Sequence, residues 1–313
     1  MKTLVIGAGG FVGEYLLEAI QEEMLGEEII ATMLPGENMK HEKIHIEELD
    51  ISNPMAILQL LEKEKPDYII NLAAQNSILF TWENPGLTVD INIKGCINIL
   101  DAVRQVKYQP RILLIGSGEE YGKVQEDELP INERVNLNPY NIYGATKACQ
   151  NLMAEIYVRA YDMQIIMARA FNYIGPGQTT LFSISDFAKQ MAEIEAGCCV
   201  PVIHVGNLDS KRDFIDVRDL VRAYVLLLQR GESGEVYNVG SGNAVSIKEI
   251  LELILEKGKA SVEVKVDSDR IRPLDVPIVH ADIKKLEKAT GWKRKISLEE
   301  SIQDMLEYWR NNI

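Results

Sequence analysis

Tyr143-Gly144-Ala145-Thr146-Lys147 places a phenol and an ammonium four residues apart. On a helix, positions i and i+4 share one face, so the cation lies near the phenol. A neighbouring positive charge favours the phenolate and lowers a tyrosine pKa that is near 10 when unperturbed. Each unit of lowering corresponds to about 1.4 kcal/mol, so a three-unit shift asks for roughly 4 kcal/mol. Taken alone, such a pair is ordinarily a coincidence of a helix surface. Its weight comes from Ser117, which ends an apolar run 26 residues earlier. A hydroxyl there hydrogen-bonds the same carbonyl or alcohol whose proton Tyr143 handles. The chemistry these three residues suit is acid–base work at a carbonyl.

Gly7-Ala8-Gly9-Gly10-Phe11-Val12-Gly13 follows the first apolar run directly. Gly7, Gly10 and Gly13 are spaced G-x-x-G-x-x-G rather than the commoner G-x-G-x-x-G. Between a strand and a helix, such glycines allow a tight turn and close backbone approach to a pyrophosphate, which meets free N–H groups at the helix N-terminus. The bland alternative is a Gly-rich turn with no ligand, and the position at the strand–helix junction favours the dinucleotide. An oxidised nicotinamide beside Lys147 then adds the second positive charge that the Tyr143 shift requires. NAD sites usually place an acid at the end of the second strand, and NADP sites an arginine nearby. Here that segment reads Ala31-Thr32-Met33-Leu34, with neither. Thr32 is able to bond a ribose hydroxyl or a phosphate, and Lys40 is the nearest base. NAD and NADP both stay open.

These residues need a scaffold. Leu4-Val5-Ile6, Ile29-Ile30-Ala31, Ile44-His45-Ile46, Tyr68-Ile69-Ile70-Asn71-Leu72, Ile112-Leu113-Leu114-Ile115 and Ile165-Ile166-Met167-Ala168 are each about strand length. Helical stretches such as 12–22 and 55–64 lie between most of them, and Asn53-Pro54 supplies a cap and a first-turn proline to the second. Near-continuous apolar strands separated by helices predict an α/β fold, a Rossmann-type doubly wound parallel sheet. After about residue 170 the rhythm changes at Gly175-Pro176-Gly177-Gln178. A helix over 185–196, capping boxes at Ser246–Glu249 and Ser297–Glu300, and the run 262–266 predict a smaller C-terminal α+β domain. Tyr237-Asn238-Val239-Gly240 reads as a further strand returning to the first sheet. The expected division is 1–170 plus about 215–245 for the dinucleotide, and about 171–214 with 246–313 for the substrate.

The chain has 313 residues, one large or two modest domains at roughly 100–200 residues each. Its 33 basic and 47 acidic residues sum to −14, which repels phosphate polymers and anionic headgroups. Nucleic acid and membrane are therefore poor partners, and no apolar run approaches the roughly 18 residues of a membrane span. Cys96, Cys149, Cys198 and Cys199 form no C-x-x-C pair and read as reduced thiols. Met1-Lys2 runs straight into an apolar strand and not into a signal peptide. The expected location is cytoplasmic.

The Gly7/Gly10/Gly13 loop, Asn71-Leu72-Ala73-Ala74, Ser117-x-x-x-Tyr121-Gly122, Tyr143-x-x-x-Lys147 and Arg212-Asp213-Phe214-Ile215-Asp216-Val217-Arg218-Asp219 occur in one order. In that order and spacing the chain resembles, over nearly its whole length, the extended short-chain dehydrogenase/reductases acting on nucleotide sugars. The segments 169–178, 205–208 and 272–277 resemble the branch that reduces the C4 ketone of GDP-4-keto-6-deoxy-D-mannose to GDP-D-rhamnose. The resemblance implies an NADH or NADPH site formed by Gly7, Gly10, Phe11, Val12, Gly13, Thr32, Asp50, Ile51, Leu72, Ala73, Ala74, Gln75 and Ala170, with Tyr143 and Lys147. It implies Ser117, Tyr143 and Lys147 as catalytic, Lys147 lowering the Tyr143 pKa and bonding the nicotinamide ribose. For the substrate it implies Asn172, Lys189, Val205, Asn207, Arg212, Arg272 and Asp275. The two arginines would grip the diphosphate with their bidentate forks, or else pair on the surface with Asp213, Asp216 or Asp275. It also implies a homodimer through a four-helix bundle from residues 87–107 and 140–160, where Ile91, Ile99 and Val103 fit either that interface or the core.

Related 4,6-dehydratases carry an acid two residues before the tyrosine that Tyr121 matches, and Glu119 stands at that offset with Glu120 beside it. Glu119 keeps dehydratase chemistry open as the alternative, with 4-epimerisation on the same fold. A nucleotide sensor on this fold ordinarily lacks the tyrosine, which this chain keeps. His41 and His45 have a metal-pair spacing, but on a strand i and i+4 lie too far apart, so no metal is expected. Cys198-Cys199 reads as packing, Gly116-Ser117-Gly118 lacks the spacing of a hydrolase elbow, and Asn92 reads as structural support.

Overall fold

The computed structural model describes residues 1–23, 28–37, 44–270 and 276–313. Among these, seven strands form one parallel sheet. Its order is Val236–Val239, Ile165–Ala170, Arg111–Ser117, Tyr68–Asn71, Lys2–Ile6, Glu28–Met33 and His45–Glu48. The chain builds outward from Lys2–Ile6 in one direction, then crosses back to lay Tyr68–Asn71 on its other side. That reversal is a topological switch point, where a crevice opens beyond the strand C-termini. The expected Rossmann-type sheet is present, and the strand read at residue 237 does return to it, beside Ile165–Ala170.

Both faces of the sheet are covered, which is why its strands are apolar throughout. On one face Leu16, Leu17 and Ile20 of the helix Phe11–Glu22 meet Leu220, Tyr224 and Leu227 of the helix Val217–Arg230. On the other, Leu60, Leu61, Ile99, Leu100, Val103 and Ala154 close over the strands. Each fully buried Leu or Ile contributes about 1.5–3 kcal/mol. A third apolar cluster joins Phe187, Met191, Ile203, Ile250, Ile302 and Met305. Its helices Ser183–Glu195, Ile247–Lys257 and Leu298–Arg310 include both predicted capping boxes, at Ser246 and Ser297. The run at 262–266 is a strand, Glu263–Val266, paired with Val202–Val205.

Polar side chains lock the centre. Glu120 is fully buried, and its carboxylate accepts from the Ser117 backbone N–H at 2.8 Å, Arg169 Nε at 2.8 Å and Asn151 Nδ2 at 3.0 Å. Arg169 Nη1 donates to the Tyr121 hydroxyl, which donates to Asn238 Oδ1. Tyr121 of the family-like motif therefore belongs to the interior framework. Removing one partner of a buried pair strands the other charge, at about 3–5 kcal/mol. Glu120→Ala is expected to lose about that much in urea unfolding, and a loss under about 1 kcal/mol would contradict this account.

Candidate functional site

The glycine loop sits at the switch point. Gly7 has φ +78°, and a β-carbon there would lie 2.7 Å from the Ala73 backbone nitrogen. A β-carbon on Gly13 would lie 2.0 Å from the Ala8 carbonyl oxygen. The fold itself thus demands both glycines. Gly10 differs, because a β-carbon there would meet no heavy atom of the described chain within 4 Å. It is the N-cap of the helix Phe11–Glu22, which no side chain caps. An open, side-chain-free cradle at a helix N-terminus fits a pyrophosphate.

Leu72, Ala73, Ala74 and Gln75 follow the strand Tyr68–Asn71 into the same crevice, with the Leu72 N–H bonded to the Ile6 carbonyl at 2.9 Å. Gln75 is pinned by buried Asn92, which accepts from its N–H at 2.7 Å and donates to its carbonyl at 3.0 Å. Asn92 also donates to Thr146 Oγ1 on the helix Ile142–Tyr161, so it is structural support. Asp50 and Ile51 follow the strand His45–Glu48, with Asp50 Oδ1 accepting from the Ser52 N–H and Ile51 buried. Ala170 ends the strand Ile165–Ala170.

Thr32 meets the glycine loop. It is 1% exposed, its hydroxyl accepts from the Gly7 N–H at 3.1 Å, and its carbonyl accepts from the Ala8 N–H. It ties the second strand to that loop. Glu37 lies beyond the end of this strand, and its Oε2 accepts from the Leu34 N–H and lies 2.8 Å from where a Gly9 β-carbon would stand.

Ser117 ends its strand as predicted and is nearly buried, its Oγ accepting from the Glu119 N–H at 3.2 Å. Tyr143 and Lys147 share one face of the helix Ile142–Tyr161, the ammonium 5.9 Å from the phenol ring centroid. Lys147 Nζ donates to the Ile115 carbonyl at 2.7 Å and to Gln150 Oε1 at 3.3 Å. Together, the chain's own groups do not lower the Tyr143 pKa. Burial pushes it up, as do the neighbouring Tyr173 and the acids Glu119 and Glu120, against the pull of a Ser117 hydrogen bond. Burial also pushes Lys147 down to about 8, opposed by Cys96 and Glu120. Desolvation disfavours the charged form of both groups and is the largest influence on each.

Glu119 is half-buried, and its Oε2 accepts from Asn141 Nδ2 at 2.7 Å. Asn141 in turn caps the helix that carries Tyr143. Sequence reasoning passed over Tyr173, which lies inside the quoted segment 169–178. Its ring stacks 6.3 Å from Phe11 and its hydroxyl is hydrogen-bonded with Asn76.

On the other side of the crevice Asn172 starts the strand Asn172–Ile174, which pairs with Lys211–Asp216. Arg212 is buried in that partner strand, Nη1 donating to the Lys211 carbonyl. Asp213 and Asp216 are committed elsewhere: Asp213 accepts from Ser241, Gly242 and Ala281, and Asp216 from Arg218. Asn207 follows the strand Val202–Val205. Val205 has its side chain in the core, and its carbonyl accepts from the Asp267 N–H. Lys189 lies 3.4 Å from Glu193 and 5.5 Å from the Trp309 ring centroid. Arg272, Asp275, Lys40 and His41 lie outside the described residues.

A second polar group brings ligand atoms of His45, Glu47 and Glu64 within 4.8 Å of one another. Lys63 bridges both carboxylates and Lys2 reaches Glu64 at 3.0 Å, so ammonium charge already neutralises them. No helix of the described residues is long and apolar enough to cross a membrane.

A glycine-lined switch point facing a Ser117–Tyr143–Lys147 cluster defines a Rossmann-type protein of the short-chain dehydrogenase/reductase class. The chain belongs to the GDP-mannose 4,6 dehydratase family, whose model matches residues 4–305. It is similar to the GDP-6-deoxy-D-mannose reductase of Pseudomonas aeruginosa, 32% identical over 312 residues that cover 100% of this chain and 98% of that one. The GDP-6-deoxy-D-talose 4-dehydrogenase of Aggregatibacter actinomycetemcomitans is 30% identical over 297 residues, 93% of this chain and 92% of the other. A solved structure of RMD from Pseudomonas aeruginosa complexed with NADPH superposes with a TM-score of 0.88 at 31% identity, covering 100% and 99% of the two chains.

A lysine pKa lowered to about 8 from 10.5 means that its charge costs stability below pH 8, and that this cost disappears as the pH rises towards 10.5. The cost at neutral pH is about 3 kcal/mol, and losing the bond to the buried Ile115 carbonyl offsets about 1 of it. Lys147→Met is therefore expected to be about 2 kcal/mol more stable at pH 7 and less stable than the parent above about pH 10.5. Urea unfolding across that range checks the sign, and a variant weaker at pH 7 would contradict it.

Proposed function

We propose that the protein reduces the C4 ketone of GDP-4-keto-6-deoxy-D-mannose to GDP-D-rhamnose with NADH or NADPH. The observation that carries this reading is the meeting of Ser117, Tyr143 and Lys147 beside the crevice lined by Gly7, Gly10 and Ala73. Full-length similarity to a GDP-6-deoxy-D-mannose reductase supports it. Gly7, Gly10, Gly13 and the N–H groups of Phe11 and Val12 hold the pyrophosphate. Residues 1–170 with about 215–245 carry the dinucleotide, and about 171–214 with 246–313 carry the sugar nucleotide. When bound, the nicotinamide supplies a hydride to C4.

This chain's own groups do the rest. The Ser117 hydroxyl donates to the C4 oxygen and fixes it beside Tyr143. The phenol is held protonated by its raised pKa, so its proton stays in place until that oxygen gains charge and then passes to it. Lys147 holds the nicotinamide ribose, its remaining donors committed to Ile115 and Gln150. Arg212 is assigned to the diphosphate, Arg272 by resemblance alone, and Asn172 and Asn207 to the sugar nucleotide. Glu37 opposes the 2′-phosphate of NADPH by like charge, so the rates with the two reductants are compared in one assay.

Tyr143→Phe is expected to lower kcat for reductant oxidation with GDP-4-keto-6-deoxymannose by about 10²–10⁴, with reductant affinity little changed. Near-normal turnover in that variant would sink the assignment. Glu119 sustains the dehydratase reading, which instead predicts a 4-keto-6-deoxy product from GDP-mannose alone with no net consumption of reductant.

We also infer a homodimer through the helices of residues 87–107 and 140–160. Ile99 and Val103 are buried in the chain's own core and Ile91 packs against it, so they are not the contact. Leu87, Val89, Leu152 and Ile156 are 43–53% exposed on those helices and supply the apolar face. Sedimentation velocity is expected to give a dimer that Ile156→Glu converts to monomer, and a parent chain sedimenting as a monomer would refute it.

A further inference from the structure

A cavity of about 10 Å³ lies against Lys147, walled also by Gln150, Asn151, Arg169, Leu114 and Met167. That is the space one water needs, provided it finds two or more polar partners. Asn151 is 4% exposed. Its Nδ2 donates to Glu120 Oε2 at 3.0 Å. An ionised carboxylate only accepts, so the amide orientation is settled and Oδ1 points the other way. That oxygen has no hydrogen-bond partner, one of two such buried side-chain atoms among the described residues. A buried oxygen left unpaired is costly. Beside it, Lys147 is a buried ammonium whose contact to Gln150 is long, at 3.3 Å.

We propose that one resident water fills this cavity, donating to Asn151 Oδ1 and sharing with Gln150 the Lys147 donor that Gln150 holds only at 3.3 Å, and that Asn151 is thereby a positioning residue for Lys147. The inference rests on Lys147 being the cofactor-site lysine. Positions 143, 147, 150 and 151 share the sheet-facing side of one helix, so the water stands on the interior side of the proposed catalytic face. The charged and titratable groups around the lysine are Glu120 from the turn after the strand Arg111–Ser117, Arg169 from Ile165–Ala170, Cys96 from Cys96–Gln105, and Tyr143 on its own helix. Among them the water adds a dipole that favours the charged form of the lysine. Expelling it completes the desolvation and lowers the lysine pKa further.

Two variants separate hydration from framework. Asn151→Ala and Asn151→Leu both lose the amide bond to Glu120, but alanine leaves room for water and leucine fills the cavity. NADH affinity, followed by fluorescence, is expected to fall in the parent as the pH rises through about 8. In Asn151→Leu that limb moves about one unit to lower pH, and in Asn151→Ala, which keeps the space for the water but removes its Oδ1 acceptor, it moves about half as far. Equal shifts in both variants, or none in either, would overturn the proposal. A crystal structure of the parent chain at a resolution that shows ordered waters is expected to place one within hydrogen-bond distance of Asn151 Oδ1. A dry cavity refutes the water even if the leucine variant fails to fold. A parent affinity with no alkaline limb refutes Lys147 as the cofactor lysine, and with it the positioning role, whatever the cavity contains.

Discussion

The carboxylate of Glu120 holds together the pieces on which everything else is mounted. An ion in an apolar interior is costly unless it is saturated with partners. Glu120 is saturated from three directions: the Ser117 backbone, the Arg169 guanidinium and the Asn151 amide. Those partners belong to the end of one strand, the adjacent strand and the helix that carries Tyr143 and Lys147. The spacing between Ser117 and Tyr143 therefore follows from a single buried charge. Arg169 passes the constraint on to Tyr121 and Asn238, and so to the strand Val236–Val239 at the edge of the sheet.

Local patterns were legible in the sequence because their causes are local. The glycine loop, the apolar strands, the Asn53, Ser246 and Ser297 caps and the i, i+4 pair each need only a few consecutive residues. What escaped depends on distant partners. Glu119 and Glu120 are adjacent, and nothing nearby tells which is interior; Arg169, 49 residues on, decides it. The N–H that the Thr32 hydroxyl accepts comes from Gly7, 25 residues earlier. Glu37 was missed because it reaches Gly9 only after the chain folds back from the strand end. The ionisation of Tyr143 and Lys147 was read from proximity, whereas within the chain burial is the largest influence on each.

The acidic balance of −14 gains meaning at the centre. Among the described residues the buried charges lean the same way, since Glu64, Glu120, Asp213, Asp216 and Asp219 outnumber Lys147, Arg169 and Arg212. Asp213 and Asp216 flank Arg212 closely in sequence, yet backbone N–H groups and Arg218 take up their oxygens. Each buried carboxylate among them is held by donors of its own.

The helix Ile142–Tyr161 also bears on how such a chain can change over evolutionary time. Each residue advances an α-helix by about 100°, so one inserted residue between 143 and 151 would turn half of the face away from the sheet. The stretch 122–140 ahead of it has no comparable periodicity to keep, and its lone short helical turn is Glu126–Glu128. Length variation is thus excluded between 143 and 151. Before Asn141 it is confined to the spans between Ile131 and Asn138, whose backbones bond His280, Asp282 and Glu120. What may drift is set by those anchors, and what must stay by the face of one helix.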